Sequence, residues 1–278
     1  MSIARTLLTT PFLLATMAPA CAAEPALPLW EAGIFGGAAA TPAYPGASER
    51  STRTLALPYL IYRGKVLRAD RSGVGARLLD TDRLGFDIGF ALSLPARSSD
   101  VPARRGMPDL GTLVEFGPRL KIKLAEPTQH SRLGLELPLR AVIEAHGGLR
   151  RQGATFEPRL VYALHGEQQA WHVDASLGAV LGDAAINDYF YGVSPAFATG
   201  QRQAYAAKSG LMLTRLGLGG SYRLHRDWRA FAFLRYDNYT GAVNRASPLL
   251  RQNSGTSAGI GLMWTWQRSD SLARGPDD

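Results

Sequence analysis

Leu84, Phe86, Ile88, Phe90, Leu92 and Leu94 alternate with Gly85, Asp87, Gly89, Ala91 and Ser93. Successive side chains of an extended chain point to opposite faces, so a period of two puts all six apolar residues on one face of a strand. The pattern recurs. Val114, Phe116, Leu120, Ile122 and Leu124 oppose Glu115, Arg119, Lys121 and Lys123, and Leu133, Leu135, Leu137, Leu139 and Ile143 oppose Arg132, Glu136 and Arg140. Trp171, Val173, Leu177 and Leu181 oppose His172, Asp174 and Ser176. Leu216, Leu218, Tyr222 and Leu224 oppose Arg215, Ser221, Arg223 and His225. Ile260, Leu262, Trp264 and Trp266 oppose Gly259, Gly261, Thr265 and Gln267. Twelve strands are predicted, near 30–40, 52–62, 65–70, 73–80, 83–94, 111–124, 131–145, 154–165, 168–181, 211–225, 229–239 and 256–267.

A soluble sandwich or lipocalin-like barrel would turn these apolar faces inward; a membrane barrel turns them to lipid and lines its interior with the polar ones. Three features select the membrane. Many of the strands are ~10–13 residues long, against ~5–6 in soluble sheets. The non-apolar face mixes Gly, Ala and Ser with charge, as a crowded lumen requires. Aromatics such as Tyr59, Tyr62, Tyr162, Trp171, Trp228, Tyr236, Trp264 and Trp266 gather near strand ends, where membrane girdles sit. The expected fold is an all-β, transmembrane, antiparallel up-and-down β-barrel of about 12 strands. Ten remain possible, because the two strands of 65–80 are short and break the alternation of short turns with long loops. That alternation puts the short turns and both chain ends in the periplasm, and the segments 41–51, 95–110, 146–153, 182–210 and 240–255 outside.

The first residues add a destination. Arg5, an apolar stretch from Leu7 to Met17 and small residues before Glu24 read as a secretory signal peptide over 1–23, cleaved between Ala23 and Glu24. Cys21 is the single cysteine of the 278 residues. It reads as a small residue near the cleavage site rather than a lipidation site, so the chain from 24 onward has no thiol chemistry. The whole chain carries a net charge of +8, and losing Arg5 with the leader leaves +7. The excess is scattered arginine, which points to a solvated basic surface and not to nucleic acid. No apolar run approaches the ~20 residues of a spanning helix. Residues 24–267 are expected to form the barrel and 268–278 a disordered periplasmic tail.

Between two of the strands, Ile186–Gly210 packs Tyr189, Phe190, Tyr191, Phe197 and Tyr205 into a segment with neither helical nor strand period. It reads as a long outer loop that folds over the barrel mouth or docks a partner. Asp188, Tyr189, Phe190, Tyr191, Gly192, Val193 and Tyr205 are its candidate contact residues. Enzymatic chemistry finds little support. A barrel lipase needs a Ser/His pair with an orienting third group, and of the histidines only His130 neighbours a serine, Ser131, on the opposite strand face. His165 and His172 flank one hairpin with Asp174 near, which reads as lumenal polar packing rather than a metal site. "GLGG", Gly217–Gly220, is strand wall and not a phosphate loop, because no helix follows. No cofactor, no metal and no catalytic residue is expected. The inferred lumen carries Asp87, Glu115, Arg119, Lys121, Lys123, Arg132, Glu136, Arg140, Arg159, Asp174, Arg215, Arg223 and Asp237. These charges either crosslink into a plug or line a narrow basic channel.

Several segments resemble the MipA/OmpV family of MltA-interacting outer-membrane proteins: "YPGAS" (Tyr44–Ser48), "LPYLIYRG" (Leu57–Gly64), "RGMPDL" (Arg105–Leu110), "YFYGV" (Tyr189–Val193) followed by Ala204, Tyr205 and Gly210, and "ASPLL" (Ala246–Leu250). Two departures are an inserted Ala47 and the Tyr191 that stands before Gly192. The last strand resembles the assembly signal of outer-membrane proteins, with Gly261, Trp264 and Trp266 read by the barrel-assembly machinery, although twelve residues follow it. The resemblance implies a non-enzymatic scaffold in the outer membrane of a Gram-negative bacterium, set in outer-membrane lipid. Its implied partners are a lytic transglycosylase and a murein synthase, linked in peptidoglycan growth. A small porin or a surface adhesin is the alternative.

Overall fold

The computed structural model describes residues 28–63, 67–70 and 73–273. The leader, its cleavage point between Ala23 and Glu24, and residues 274–278 lie outside the described residues. The chain runs as β1 (Trp30–Pro42), β2 (Arg50–Arg63), β3 (Leu67–Asp70), β4 (Gly73–Asp80), β5 (Leu84–Ser93), β6 (Thr112–Thr128), β7 (Ser131–Ala145), β8 (Leu149–Phe156), β9 (Arg159–His165), β10 (Trp171–Gly182), helix α1 (Ala184–Tyr191), β11 (Gly210–His225), β12 (Trp228–Asn238) and β13 (Ser254–Arg268). Every pairing is antiparallel, and the pairings close on themselves. Sequence neighbours other than β8 and β9 pair in turn, β1 pairs β13, and β10 returns to both β8 and β9.

Thirteen segments make twelve staves, because β8 and β9 occupy one position in the wall. Both lie between β7 and β10. They are parted at Glu157-Pro158, where proline has no N–H to give the ladder. The ribbon still bridges its neighbours there. The Glu157 N–H donates to the Pro138 carbonyl (3.0 Å) and the Pro158 carbonyl accepts from the Ala179 N–H (3.1 Å). The predicted loop 146–153 shrinks accordingly to a turn at 146–148, with Gly147 and Gly148 at positive φ.

The wall is inside-out relative to a soluble protein. Ile260 is 68% exposed, Leu177 55% and Leu224 58%, while Arg119 and Asp237 are 8% and 6% exposed. Exposed apolar residues belong against acyl chains and buried charges must be paired. At the end of the barrel that holds both chain ends, Tyr62, Trp171, Tyr222, Trp228, Trp264 and Trp266 face outward. Trp228 stacks on Trp264 at 5.9 Å between ring centres, forming part of an interfacial girdle.

Inside, the charges do pair. Arg119 donates through two nitrogens to Asp87 (2.8 and 2.9 Å), and Lys121 approaches the same carboxylate at 3.0 Å. Arg140 meets Glu157 at 3.0 Å, Arg215 meets Glu157 at 3.2 Å, and Arg215 grips Asp237 through two nitrogens at 2.7 and 3.0 Å. Arg159 holds Glu136 at 2.6 Å. Of the two readings left open for the lumenal charges, the geometry favours crosslinking. Elsewhere the lumen is aromatic. The Phe35 and Phe231 rings, 4.9 Å apart, lie over Gly261, where a Cβ would collide with both. That close approach is the local reason for a glycine in the last strand.

The disordered tail expected from residue 268 is corrected for 268–272. β13 includes Arg268, the Leu29 N–H donates to the Ser271 carbonyl (2.8 Å), and Leu272 bridges Pro28. The backbone ahead of β1 needs a partner at this end, and the residues after Trp266 supply it. The short strands of 65–80 also have a consequence. The β3–β4 hairpin reaches β2 only at Tyr62 and Arg63 and β5 only up to Gly89, so it fills the lower part of its sector of the wall.

The inside-out wall predicts an asymmetry. Leu218, outward and 51% exposed, changed to Arg places a charge against lipid and costs about 2–4 kcal/mol at mid-bilayer. Asp174→Asn on the lumenal face should be nearly neutral. Folding into lipid vesicles, read by the heat-modifiable gel shift, should fall for Leu218→Arg alone; equal loss in both would contradict the facing.

Candidate functional site: a cap over the barrel mouth

The segment read as a patternless loop begins with a helix, a correction to the sequence reading. Asp183 supplies the N-cap, its Oδ1 accepting the Ile186 N–H at 2.9 Å. Gly192 ends α1, its N–H donating to the Asp188 carbonyl at 2.8 Å. At two turns, α1 is too short to print a 3.6-residue period, which is why the sequence hid it. Gly192 has ordinary negative φ, and its constraint is space: a Cβ there would run into the Asp188 carboxylate.

The helix lies across the mouth with its apolar side down. Ile186, Asn187 and Tyr191 are buried, Tyr191 completely, among Leu113, Val142, Met212, Leu213 and Tyr239 at the outer ends of the strands. Val193 then pairs with Tyr205 as a two-residue bridge, N···O 2.8 and 2.9 Å in the two directions. It closes a loop whose tip, Ser194–Ala196 and Ala198–Gln201, is exposed. Tyr205 donates to Asn244 Oδ1 at 3.1 Å. A second apolar cluster joins Val193 to Tyr44, Ala47, Ala96, Val101, Leu110 and Leu249.

Four outer loops therefore meet in one body, and they carry four of the five segments that resemble the family. Tyr44 donates to the Leu249 carbonyl at 2.6 Å. Ser247 donates to the Tyr191 carbonyl at 2.6 Å. The Gly111 N–H is shared between Tyr189 Oη (2.8 Å) and Glu144 Oε1 (2.9 Å), while Tyr189 itself donates to Glu144 at 2.8 Å. Arg104 lies buried over the Tyr44 ring, 5.7 Å from its centre, and donates to the Phe190 carbonyl at 3.2 Å. The described part of the fifth segment, Leu57–Arg63, lies apart on β2.

Burial governs the titration of these groups. The Tyr44 phenol is pushed from the ordinary value near 10 up to about 12, chiefly by desolvation and against the pull of Arg104. Tyr189 is raised by desolvation and then by its bond to the Glu144 carboxylate. Arg104 is lowered, again by burial first. Tyr44 and Tyr189 stay neutral donors throughout the physiological range.

Asp188, Tyr189, Phe190, Tyr191, Gly192, Val193 and Tyr205 thus come together, as parts of the cap's own framework rather than as a free contact surface. Gly261, Trp264 and Trp266 sit far along the chain's last stave, the tryptophans outward. The residues that sequence reasoning missed are Arg104, Glu144, Glu157, Arg202 and Asn244. Arg202 pins the tip by donating to the carbonyls of Phe197 and Ala103. Only Glu144 had a signal, an acid on the lumenal parity of β7. Among the described residues no three His, Cys, Asp or Glu side chains converge as a metal would require. His172 faces His165 across the β9–β10 ladder and approaches Asp174 at 3.4 Å. The Ser131 hydroxyl is bonded to Thr128, whose N–H and hydroxyl both lie 2.9 Å away.

The cap predicts a labelling contrast. A cysteine replacing exposed Ser194 should react with a membrane-impermeant maleimide on intact cells, and one replacing buried Ile186 should react only after denaturation. Reaction of the Ser194 site only after the outer membrane is permeabilised would invert the topology.

Similar solved structures include several outer-membrane proteins at low identity. The outer membrane phospholipase A from Escherichia coli shares 12% identity with a TM-score of 0.37, over 84% of this chain and 92% of that one. An outer membrane channel from Pseudomonas putida F1 shares 11% at TM-score 0.39, over 90% and 100%. OmpT of Vibrio cholerae shares 9% at TM-score 0.36, over 86% and 98%. No curated protein matches. The model of the family described as MltA-interacting protein MipA matches residues 34–266, nearly the whole described barrel. With that match and a closed, inside-out ring of strands, the chain belongs to the MipA family and is a β-barrel of the outer membrane.

Proposed function

We propose that the protein is a non-enzymatic scaffold that presents its periplasmic turns to cell-wall enzymes, a lytic transglycosylase and a murein synthase. The observation that carries this reading is the doubly obstructed barrel. A chain of ion pairs, Arg140–Glu157–Arg215–Asp237, crosses between staves inside the wall, and an apolar cap covers the mouth. Such an interior supports a rigid frame better than a pore. It also weighs against the small-porin alternative.

The murein enzymes work in the periplasm, so the contacts belong to the short turns and the β1–β13 seam. The turn at Arg226-Asp227 suits this role. Asp227 is held by Arg268 (2.5 Å), a bond that lowers its carboxyl below the usual range and keeps it anionic. Arg226 beside it is exposed. Surface adhesion is the second reading, favoured by the exposed cap tip from Ser194 to Ala196.

The test is recovery of native complexes from crosslinked envelopes through a tag on this chain. Both murein enzymes should co-purify, and replacing Arg226-Asp227 by Asn-Gly should lower their yield while a Ser194→Cys change leaves it intact. Absence of both enzymes, or dependence on the cap tip instead of the turn, would overturn the scaffold reading.

A further inference from the structure

Among the described residues the wall has a window: Arg50–Ile61 of β2 have no ladder partner on the side away from β1, and Phe90–Ser93 of β5 have none on the side away from β6. The register points Leu55 and Leu57 into the lumen, opposite Gly37 and Phe35, yet they are 39% and 50% exposed. Arg53 closes the window's outer edge, donating to Ser51 Oγ (3.1 Å) and to the Pro95 carbonyl on the far bank.

Behind the window lies an apolar cavity of about 80 Å³, lined by Leu55 and Leu94 on the two banks and by Phe35, Phe231 and Phe233 within, with Arg53 at the rim. The phenylalanine rings lie flat on the wall because Gly259 and Gly261 leave room under them. Outside, the surface flanking the window is apolar and exposed, with Leu60, Phe90 and Leu92 facing lipid. A strand edge without partners survives at membrane depth only where it lines a cavity, so this edge opens on the lumen.

Three observations fix the ligand's chemistry. Leu55 and Leu94, on the two banks of the cavity, are 39% and 41% exposed beside the outward Leu60, Phe90 and Leu92, which selects a molecule that arrives through the bilayer. Its volume is about half that of the ~150 Å³ apolar cavity known to take benzene, which suits the end of a slender alkyl chain rather than a ring system. The acceptors of Arg53 are neutral oxygens, so its charge remains available to an anion. We propose that the window between β2 and β5 is a lateral binding site for the acyl chain of an anionic amphiphile, with the chain end on Phe35, Phe231 and Phe233 and the headgroup at Arg53. This site is independent of the scaffold reading and survives its failure.

The chain can belong to a bilayer lipid or to a free fatty acid, and the test separates them. Thr41 lines the same cavity. A Thr41→Cys variant in a Cys21→Ser background carries a bimane fluorophore and is placed in phosphatidylglycerol nanodiscs. In one arm the lipid chains are brominated at their ends; in the other, unbrominated discs are titrated with brominated stearic acid. Quenching in the first arm identifies a bilayer lipid, and saturable quenching only in the second identifies the free acid. Ala39→Phe, which fills the cavity, or Leu55→Phe from the bank should relieve at least half of the quenching. Arg53→Gln should raise the half-saturating acid concentration about tenfold, the worth of one charge-assisted contact. Quenching in neither arm, or quenching untouched by both filling variants in folded protein, overturns the proposal.

Discussion

The structure depends on one constraint: inside a bilayer every polar group must find its partner within the protein. For the backbone the solution is closure, a ring of twelve staves paired all the way round except along the window between β2 and β5. For charged side chains the solution is the lumen. Arg140, Glu157, Arg215 and Asp237 form a continuous chain of charge-assisted bonds there. Removing one member leaves a buried charge unpaired, at about 3–5 kcal/mol. The ion pairs and the ring are therefore mutually dependent: the ring supplies the dry interior, and the pairs make that interior tolerable.

The same constraint accounts for the cap. At the outer end the lumenal parity turns apolar, with Leu113, Val142, Val180 and Leu213 facing in. These side chains would meet water at an open mouth. The helix Ala184–Tyr191 covers them, and three other loops fold against it. Tyr191, wholly buried, belongs to the same cluster as Tyr239 at the outer end of the wall, and its carbonyl takes the Ser247 hydroxyl. The cap thus continues the barrel's core upward rather than resting on it as a separate domain.

Much of the wall was legible in the sequence because its period is two and its faces differ in polarity: Leu84 to Leu92 and Leu133 to Leu139 face as the alternation requires. The boundaries that failed did so for local reasons. The β8 stave was read late because Leu149, Arg150 and Arg151 carry no alternation, and its interior break follows from Pro158. Helix α1 is too short for a helical period to show. The cap was legible as a concentration of aromatics and as motif-bearing segments, but not as a single body. Nothing in a linear pattern brings Tyr44, Arg104, Tyr189 and Ser247 within reach of one another; that takes the order of staves around the ring. Glu157, the hub of the lumenal chain, stood in a break between strands where parity gave no face.

The central claim, a barrel stapled from within and covered above, is tested most directly by single-channel recording in planar lipid bilayers. The account predicts silence for the native protein. It also predicts silence when the cap segment 184–209 alone is replaced by a short Gly-Ser linker, because the ion pairs between staves remain inside the wall. Steps should appear only when Arg140, Glu157, Arg215 and Asp237 are also changed to serine. Stable conductance steps from the unaltered protein would contradict it.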